Sequence, residues 1–183
     1  MKSSDVALLI VPGWHGSDAD HWQSRWEARL STARRVEQAD FAHPDRAAWT
    51  DRLVAAVAAA DKPVVVIAHS LGVPTLAHAA PRFTPGKVAG AFLVAPPDLE
   101  TTPPDPALAG FAPVPRARLA FPALLIASRT DPYCSFAHAE ALAAAWGAAL
   151  VDAGEAGHIN SAAGYGPWPE GTMRLLGFLK ALG

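Results

Sequence analysis

The sequence has little of what would anchor a chain in a membrane, on a nucleic acid or in a disulfide framework. Cys134 is its single cysteine, so no internal disulfide can form, which fits a reducing cytoplasm and argues against a disulfide-framed secreted domain. The net charge is −2 with no basic run, so we expect no nucleic-acid partner. The apolar run 6–11 is too short to cross a bilayer and has no charged leader or cleavage site beside it. We therefore expect a cytoplasmic protein with no membrane partner.

Metal-binding patterns are missing as well. No cysteine pair is available, and six of the seven histidines lack a spacing that would fix three ligands around an ion. We interpret these six as structural or surface residues: His15, His21, His43, His69, His78 and His138. The sequence therefore predicts no metal and no other cofactor. Its 183 residues, 51% of them hydrophobic, suffice for one domain over 1–183 with a substantial core.

Short apolar runs of strand length alternate with segments of helical periodicity. The runs cover 6–11, 64–68, 88–94, 123–127 and 148–151, and a further short strand is predicted around Val36. Continuous apolar runs are typical of strands that are covered on both faces. Amphipathic helices between such strands indicate a parallel α/β sheet wound by right-handed crossovers. In such sheets, ligands bind at the carboxyl ends of the strands.

Apolar residues at helical spacing define the predicted helix faces. They are Trp22, Trp26 and Leu30; Trp49, Leu53 and Val57 in a helix that starts near Asp45; Phe136, Ala139, Leu142 and Trp146 before a stop at Gly147; and Met173, Leu176 and Leu179 in a closing helix that begins near Pro169. The proline-dense segment 96–122 shows no clean period, and we predict a structured excursion across one end of the sheet.

The segment 64–72 joins a strand to a helix through a sharp turn at Ser70. Four β-branched residues lead into Ala68-His69-Ser70-Leu71-Gly72, and a helix-compatible stretch follows. Tiny residues two positions either side of a serine let a strained turn lift its hydroxyl above the sheet, as at a nucleophile elbow. Ala68 departs from the usual G-x-S-x-G pattern. The alternative interpretation is that Ser70 only caps the following helix.

Later strands are followed by candidate acids and a histidine. Asp131 comes after the run 123–127 and His158 after the last strand, so with Ser70 they stand in the chain order expected of α/β-hydrolases. In that chemistry the histidine takes the serine proton while a carboxylate holds the imidazole in the useful tautomer. We therefore predict a catalytic triad of these three residues. Asp131 is alternatively a turn residue before proline, and Asp98 is a competing acid that we interpret as a solvated loop residue.

An oxyanion hole needs two backbone N–H groups that point at the same place. Leu71 supplies one as the residue after the nucleophile, and we predict Trp14 as the other, because Gly13 permits close approach of the backbone. Trp14 is alternatively a core or pocket-wall residue. As further pocket walls we predict Tyr133, Phe136 and Trp168.

Across nearly its whole length, the chain resembles the small lidless serine hydrolases of the YdeN and retinoblastoma-binding-protein-9 type. The resemblance is carried by Val11-Pro12-Gly13-Trp14, His21-Trp22-Gln23 with Trp26-Glu27, the Ala68 to Gly72 elbow, Asp131-Pro132-Tyr133, Gly157-His158-Ile159-Asn160, and Gly164 to Gly171 with Trp168. It implies an α/β-hydrolase-like three-layer sandwich, with a mostly parallel sheet, helices on both faces and no large cap domain. It also implies the Ser70, Asp131, His158 triad. Binding of a pocket protein through an L-x-C-x-E peptide does not carry over, because Cys134 has no leucine two before it or glutamate two after it.

On these grounds we expect an enzyme that cleaves small acyl esters or related amides through an acyl-serine intermediate, with a small-molecule acyl compound as its partner. A site without an inserted cap is expected to be shallow and to fit small acyl groups best. Two alternatives stay open. One is a non-catalytic interaction domain, against which the presence of all three triad residues counts. The other is an acyltransferase or thioesterase, because water and another acceptor compete for the same acyl-enzyme.

Overall fold

One sheet of six parallel strands is the framework of the molecule, whose computed structural model describes residues 1–100 and 105–183. The strands are β1 (Ala7–Val11), β2 (Ala33–Arg35), β3 (Val64–His69), β4 (Val88–Val94), β5 (Ala123–Ala127) and β6 (Ala149–Asp152). Their order across the sheet is β2-β1-β3-β4-β5-β6, and every neighbouring pair is parallel. All six strands therefore place their carboxyl ends at one edge of the sheet.

In the described residues, five α-helices cover the two faces of this sheet: α1 (Trp22–Arg29), α2 (Arg46–Ala59), α3 (Gly72–Ala79), α4 (Phe136–Trp146) and α5 (Pro169–Ala181). Strand residues alternate between two buried layers, because successive side chains in a strand point to opposite faces. Val64 and Val66 pack with α2, α3 and α4, whereas Val65 and Ile67 pack with α1 and α5. The result is the predicted three-layer α/β-hydrolase sandwich, and no inserted cap covers the sheet within the described residues.

The predicted strands and helices are present, with small shifts at their ends. The short strand expected around Val36 covers Ala33–Arg35, and the Val36 N–H continues the pairing by donating to the Ile10 carbonyl at 2.8 Å. Asp45 is the N-cap of α2, where its carboxylate accepts from the Ala48 N–H. Gly147 ends α4 in the left-handed conformation with φ +68°, which glycine adopts at little cost.

The predicted apolar face of α5 is wrong in two of its three residues. Met173 and Leu176 are 68% and 49% exposed, whereas the buried positions are Gly171, Leu175 and Leu179. The buried residues recur every four positions, which keeps them on one side of a helix. A three-residue spacing instead rotates by about 60° at each step. Of the three predicted residues, therefore, only Leu179 lies on the buried face.

Of the segment 96–122, for which we predicted an excursion across one end of the sheet, residues 101–104 lie outside the described residues. The segment forms a short 3-10 helix over Pro106–Phe111, in which Leu108 and Phe111 are buried. The Trp146 indole N–H donates to the Pro115 carbonyl at 2.8 Å, which ties the segment to α4. In the described part of the chain, no helix combines the length and the apolar character needed to cross a bilayer.

Candidate active site

Ser70 lies on a strained turn between β3 and α3. Its φ is +52°, a left-handed conformation that is uncommon for residues with a side chain and clusters at functional sites. Its backbone N–H donates to the Val94 carbonyl at 3.0 Å, which fixes the turn against the neighbouring strand. The N-cap position of α3 is Leu71, and no side chain caps this helix. Helix capping, the alternative role considered for Ser70, is therefore not what its side chain does.

The tight turn depends on small residues around Ser70. Two positions require glycine, whereas a third holds alanine. A Cβ on Gly72 would lie 2.3 Å from the Val11 carbonyl oxygen, and a Cβ on Gly13 would lie 2.7 Å from the Ser70 Cβ. Both positions therefore exclude any larger residue without a backbone shift. Ala68, where the usual pattern has glycine, is fully buried and its methyl group packs in the apolar layer under α3.

His158 stands between Ser70 and Asp131. Its Nε2 is 2.9 Å from the Ser70 Oγ, and its Nδ1 is 2.9 and 3.0 Å from the two carboxylate oxygens of Asp131. The side chains of His158 and Asp131 are 8% and 2% exposed. Asp131 Oδ1 also accepts the Tyr133 N–H at 2.9 Å, which fixes the carboxylate. Three side chains from the ends of β3, β5 and β6 thereby form one continuous hydrogen-bonded chain.

Asp98 does not contact His158 in any described hydrogen bond, but it is also not the solvated loop residue that we expected. It is only 5% exposed, and its Oδ2 lies 3.3 Å from the Nδ1 of His138 on α4. Its backbone N–H donates to the Tyr133 carbonyl at 2.8 Å. This bond joins the loop after β4 to the turn that carries Asp131.

Trp14 and Leu71, the two residues predicted to supply oxyanion N–H groups, both lie beside Ser70. In the described residues, neither Trp14 nor Leu71 uses its N–H in a backbone hydrogen bond, whereas the His15 N–H donates to Phe41 at 2.8 Å. The Trp14 indole N–H donates to the Ala42 carbonyl at 2.8 Å, which holds that residue at the mouth of the site. The predicted oxyanion positions therefore border the same cavity as Ser70.

A cavity of about 260 Å³ opens in front of Ser70. Of the predicted wall residues, Tyr133 lines it and sets its ring edge against the His158 ring, with centroids 4.6 Å apart. Phe136 and Trp168 do not line it. Phe136, the first residue of α4, packs on the core with the Arg129 guanidinium over its ring. Trp168 is 5% exposed and packs on Trp22 in the opposite layer, since it precedes α5 rather than following a strand.

Sequence reasoning missed several wall residues. They are His15, Gly16, Asp18, His21, His69, Pro97, Leu108, Asn160 and Ser161. Most of them lie within a few residues of a strand's carboxyl end or of His158. Because ligands bind at the carboxyl ends of such strands, including the next few residues along each loop would have found them. The Ser161 hydroxyl donates to Asp18, which joins two of these loops. Leu108 comes from the segment without a regular pattern, and no sequence signal points to it.

Two of the histidines interpreted as structural or surface residues are buried inside the site. Burial lowers the pKa of His21 to about 4 and, with the nearby charge of His158, holds the pKa of His69 well below its usual range. Both rings are therefore neutral near pH 7. Burial, assisted by the charges of Asp131 and Asp98, raises the pKa of the Cys134 thiol to about 12, so this thiol is not a competing nucleophile.

Comparisons with known proteins agree with this architecture. A YdeN-like hydrolase from Pectobacterium atrosepticum is 35% identical, with a TM-score of 0.87, over 98% of this chain and 94% of that chain. The ydeN gene product of Bacillus subtilis is 20% identical, with a TM-score of 0.76, over 96% and 97% of the two chains. Esterase 2 of Thermogutta terrifontis is 15% identical, with a TM-score of 0.70, over 100% and 86%. At 20% and 15% identity, the latter two likenesses concern the fold alone.

A comparison with curated protein sequences gave no match. The family model described as serine hydrolase matches residues 8–176, which is most of the sequence. Together with the 35% identity to the YdeN-like hydrolase over 98% of the chain, this match shows that the chain belongs to the serine hydrolase family.

Proposed function

We propose that this hydrolase cleaves small acyl esters or related amides through an acyl-enzyme on Ser70, with His158 as general base and acid and Asp131 as the orienting carboxylate. The observation that carries the proposal is the hydrogen-bonded chain from the Ser70 Oγ through both nitrogens of His158 to Asp131. A serine hydroxyl is a weak nucleophile near neutral pH and needs a base within hydrogen-bonding distance. The 2.9 Å contact supplies that base.

Each group has a place in the reaction. Ser70 Oγ attacks the acyl carbon while its proton passes to His158 Nε2, and the oxyanion that forms is stabilised by the N–H groups of Trp14 and Leu71. The bond to the leaving group then breaks as His158 returns the proton to the leaving oxygen or nitrogen. Water attacks the acyl-serine by the same route and releases the free acid. Asp131 stabilises the imidazolium that is formed at each stage.

The cavity supports a small substrate. Its volume of about 260 Å³ is at or below the lower end of the range for ligand pockets, which is roughly 300–1,000 Å³. Leu71, Pro97, Leu108 and Tyr133 provide an apolar part of the wall, which suits a short acyl chain. No inserted cap adds further wall within the described residues. We therefore expect short acyl esters to be cleaved faster than long ones.

The test is to replace the nucleophile and measure both chemistry and labelling. Ser70→Ala is expected to abolish hydrolysis of short p-nitrophenyl esters and labelling by a fluorophosphonate probe while the protein stays folded, because only a hydroxyl is removed. Ser31→Ala, at an exposed position remote from the cavity residues, is the matched control and is expected to behave like the parent. Full activity in pure Ser70→Ala protein would contradict the proposal. Running esters, thioesters and aminoacyl amides in parallel separates the esterase, thioesterase and amidase activities.

A further inference from the structure

Two aromatic N–H groups hold consecutive carbonyls of the loop that presents His158. The His69 Nε2 is 2.9 Å from the His158 carbonyl oxygen, and the Trp22 indole N–H donates to the Ile159 carbonyl at 2.9 Å. All four residues are buried, with exposures between 0% and 7%. Neither His69 nor Trp22 takes part in the proposed bond-making steps, so their contacts need a separate explanation.

The direction of the His69 contact follows from its partner. A carbonyl oxygen only accepts hydrogen bonds, so the Nε2 of His69 must carry the proton and donate it. The ring is also fixed in orientation, because the rings of His21 and Trp22 meet it edge-on, with centroids 4.8 and 5.9 Å away. His69 is therefore an oriented donor that is aimed at one backbone atom of the base loop.

The loop that this donor holds is strained. His158 lies between Gly157 and Ile159, whose φ angles are +54° and +48°. Glycine adopts such angles at little cost, but a β-branched residue rarely adopts them and stays there only when its surroundings enforce it. Hydrogen bonds to the carbonyls of residues 158 and 159 are suited to enforce this conformation, because each one fixes the peptide plane next to Ile159.

We propose that His69, supported by Trp22, is a positioning residue of the active site: its Nε2–H anchors the backbone of His158 and so sets the distance from the His158 ring to Ser70. Asp131 fixes the rotation of the imidazole through Nδ1, but a correctly rotated ring can still lie too far from Ser70. His69 limits this shift, because it holds the backbone that carries the ring. Because it directly precedes Ser70 in the chain, one rigid segment carries both the nucleophile and the anchor of its base. This inference rests on the proposed function.

The test compares two substitutions of matched length. His69→Gln places an amide N–H as many bonds from the backbone as the histidine Nε2–H, whereas His69→Met has a similar length and no donor. We expect His69→Met to lower kcat for a short ester, and the rate of fluorophosphonate labelling, by about 10- to 100-fold with KM little changed, because small displacements of a catalytic group have effects of this size. His69→Gln is expected to remain within about threefold of the parent on the same grounds. Equal kcat in the two variants would overturn the proposal and leave His69 as a packing residue.

Two further measurements keep the result decisive. Trp22→Phe removes the second donor while keeping an aromatic ring, so it tests the same loop if His69→Met does not fold; a parent-like kcat there would also count against the proposal. The ring nitrogens of His158 in ¹⁵N-labelled protein provide a readout that needs no turnover. We expect the Nε2 signal, which reports the contact with Ser70, to be alike in the parent and in His69→Gln and to be shifted in His69→Met, while the Nδ1 signal, which reports the contact with Asp131, stays unchanged. If the parent is not labelled by the probe, the proposed function fails, whereas a parent-like His158 spectrum in His69→Met refutes the positioning role.

Discussion

At the scale of single residues, the two buried aspartates near the active site have different partners. Asp131 contacts His158, and Asp98 lies beside His138. The carboxylate that faces the imidazole Nδ1 selects the tautomer in which Nε2 is free to accept the serine proton. Only one of the two carboxylates is placed to do this, although both follow a strand end and both are buried.

Replacing each aspartate with asparagine therefore separates their roles. Asp131→Asn is expected to lower kcat by on the order of 10⁴, the size of the effect of the matching change in serine proteases, because the amide favours the wrong tautomer. Asp98→Asn is expected to have nearly normal kcat under the same ester assay and to serve as the matched control. The reverse ranking would move the acid to the loop after β4 and reduce the Asp131 segment to a turn.

At the scale of elements, the start of α3 lies directly against the end of β1 at Gly72. Its Cα faces the Val11 and Pro12 carbonyl oxygens, and an added Cβ would lie 2.3 and 2.9 Å from them. Both atoms belong to the backbone, so neither can rotate away. The N-terminus of α3 and the end of β1 can therefore lie this close only because residue 72 has no side chain.

Gly72→Ala is expected to destabilise the fold by about 1–3 kcal/mol, as overpacked substitutions do, and to lower kcat further by displacing Ser70. Urea unfolding and the ester assay measure the two effects. Gly177→Ala is the control, because its Cβ would meet nothing within 4 Å in the middle of α5; it is expected to be neutral or stabilising by up to about 1 kcal/mol. An unchanged unfolding midpoint in Gly72→Ala would show that the backbone yields more easily than we infer.

Much of this architecture could be predicted from the sequence, because the signals are local. Continuous apolar runs indicate buried strands, and the small residues around Ser70 indicate the turn whether or not the rest of the fold is known. What could not be predicted depends on distant partners. Asp98 is buried beside residues that lie more than 30 positions later in the sequence, Tyr133 and His138, and the exposure of Met173 follows from how α5 is rotated on the sheet. The same holds for Phe136 and Trp168, whose aromatic character is equally suited to a pocket wall or a core.

At the scale of the whole molecule, stability is expected to depend on pH through the buried histidines. The folded pKa of His21 is about 4, below its ordinary value of 6.5, because of burial, and that of His69 is lowered in the same direction. Between these pH values the unfolded chain binds more protons than the folded chain. The contribution of these two histidines to the free energy of unfolding is therefore at its full value above pH 6.5, and it decreases as the pH drops toward 4. At about 1.4 kcal/mol per pH unit, His21 accounts for a loss of about 3 kcal/mol.

Urea unfolding of the parent and of His21→Asn at pH 6.5 and 4.5 measures this effect. Asparagine is a good N-cap, so it can replace the His21 ring nitrogen that accepts the Gln23 N–H at the start of α1 without introducing a titrating group. We expect the variant to lose less stability than the parent over this interval. Equal losses in the two proteins would mean that His21 does not resist protonation in the folded state.

Ser70 and His158 are 88 residues apart in sequence, and Asp131 and His158 are 27 apart. Between Ser70 and His158 the chain must add β4, β5 and β6 to the sheet in register. Contacts of such long range are slow to form, because the entropy of closing the intervening loops must be overcome before the contacts stabilise the chain. A chain that is still being synthesised therefore has no base for Ser70 until its last quarter has been made and β6 has joined the sheet. Competence to hydrolyse is in this sense a property of the finished topology, and its recovery during refolding reports that the final strand has docked.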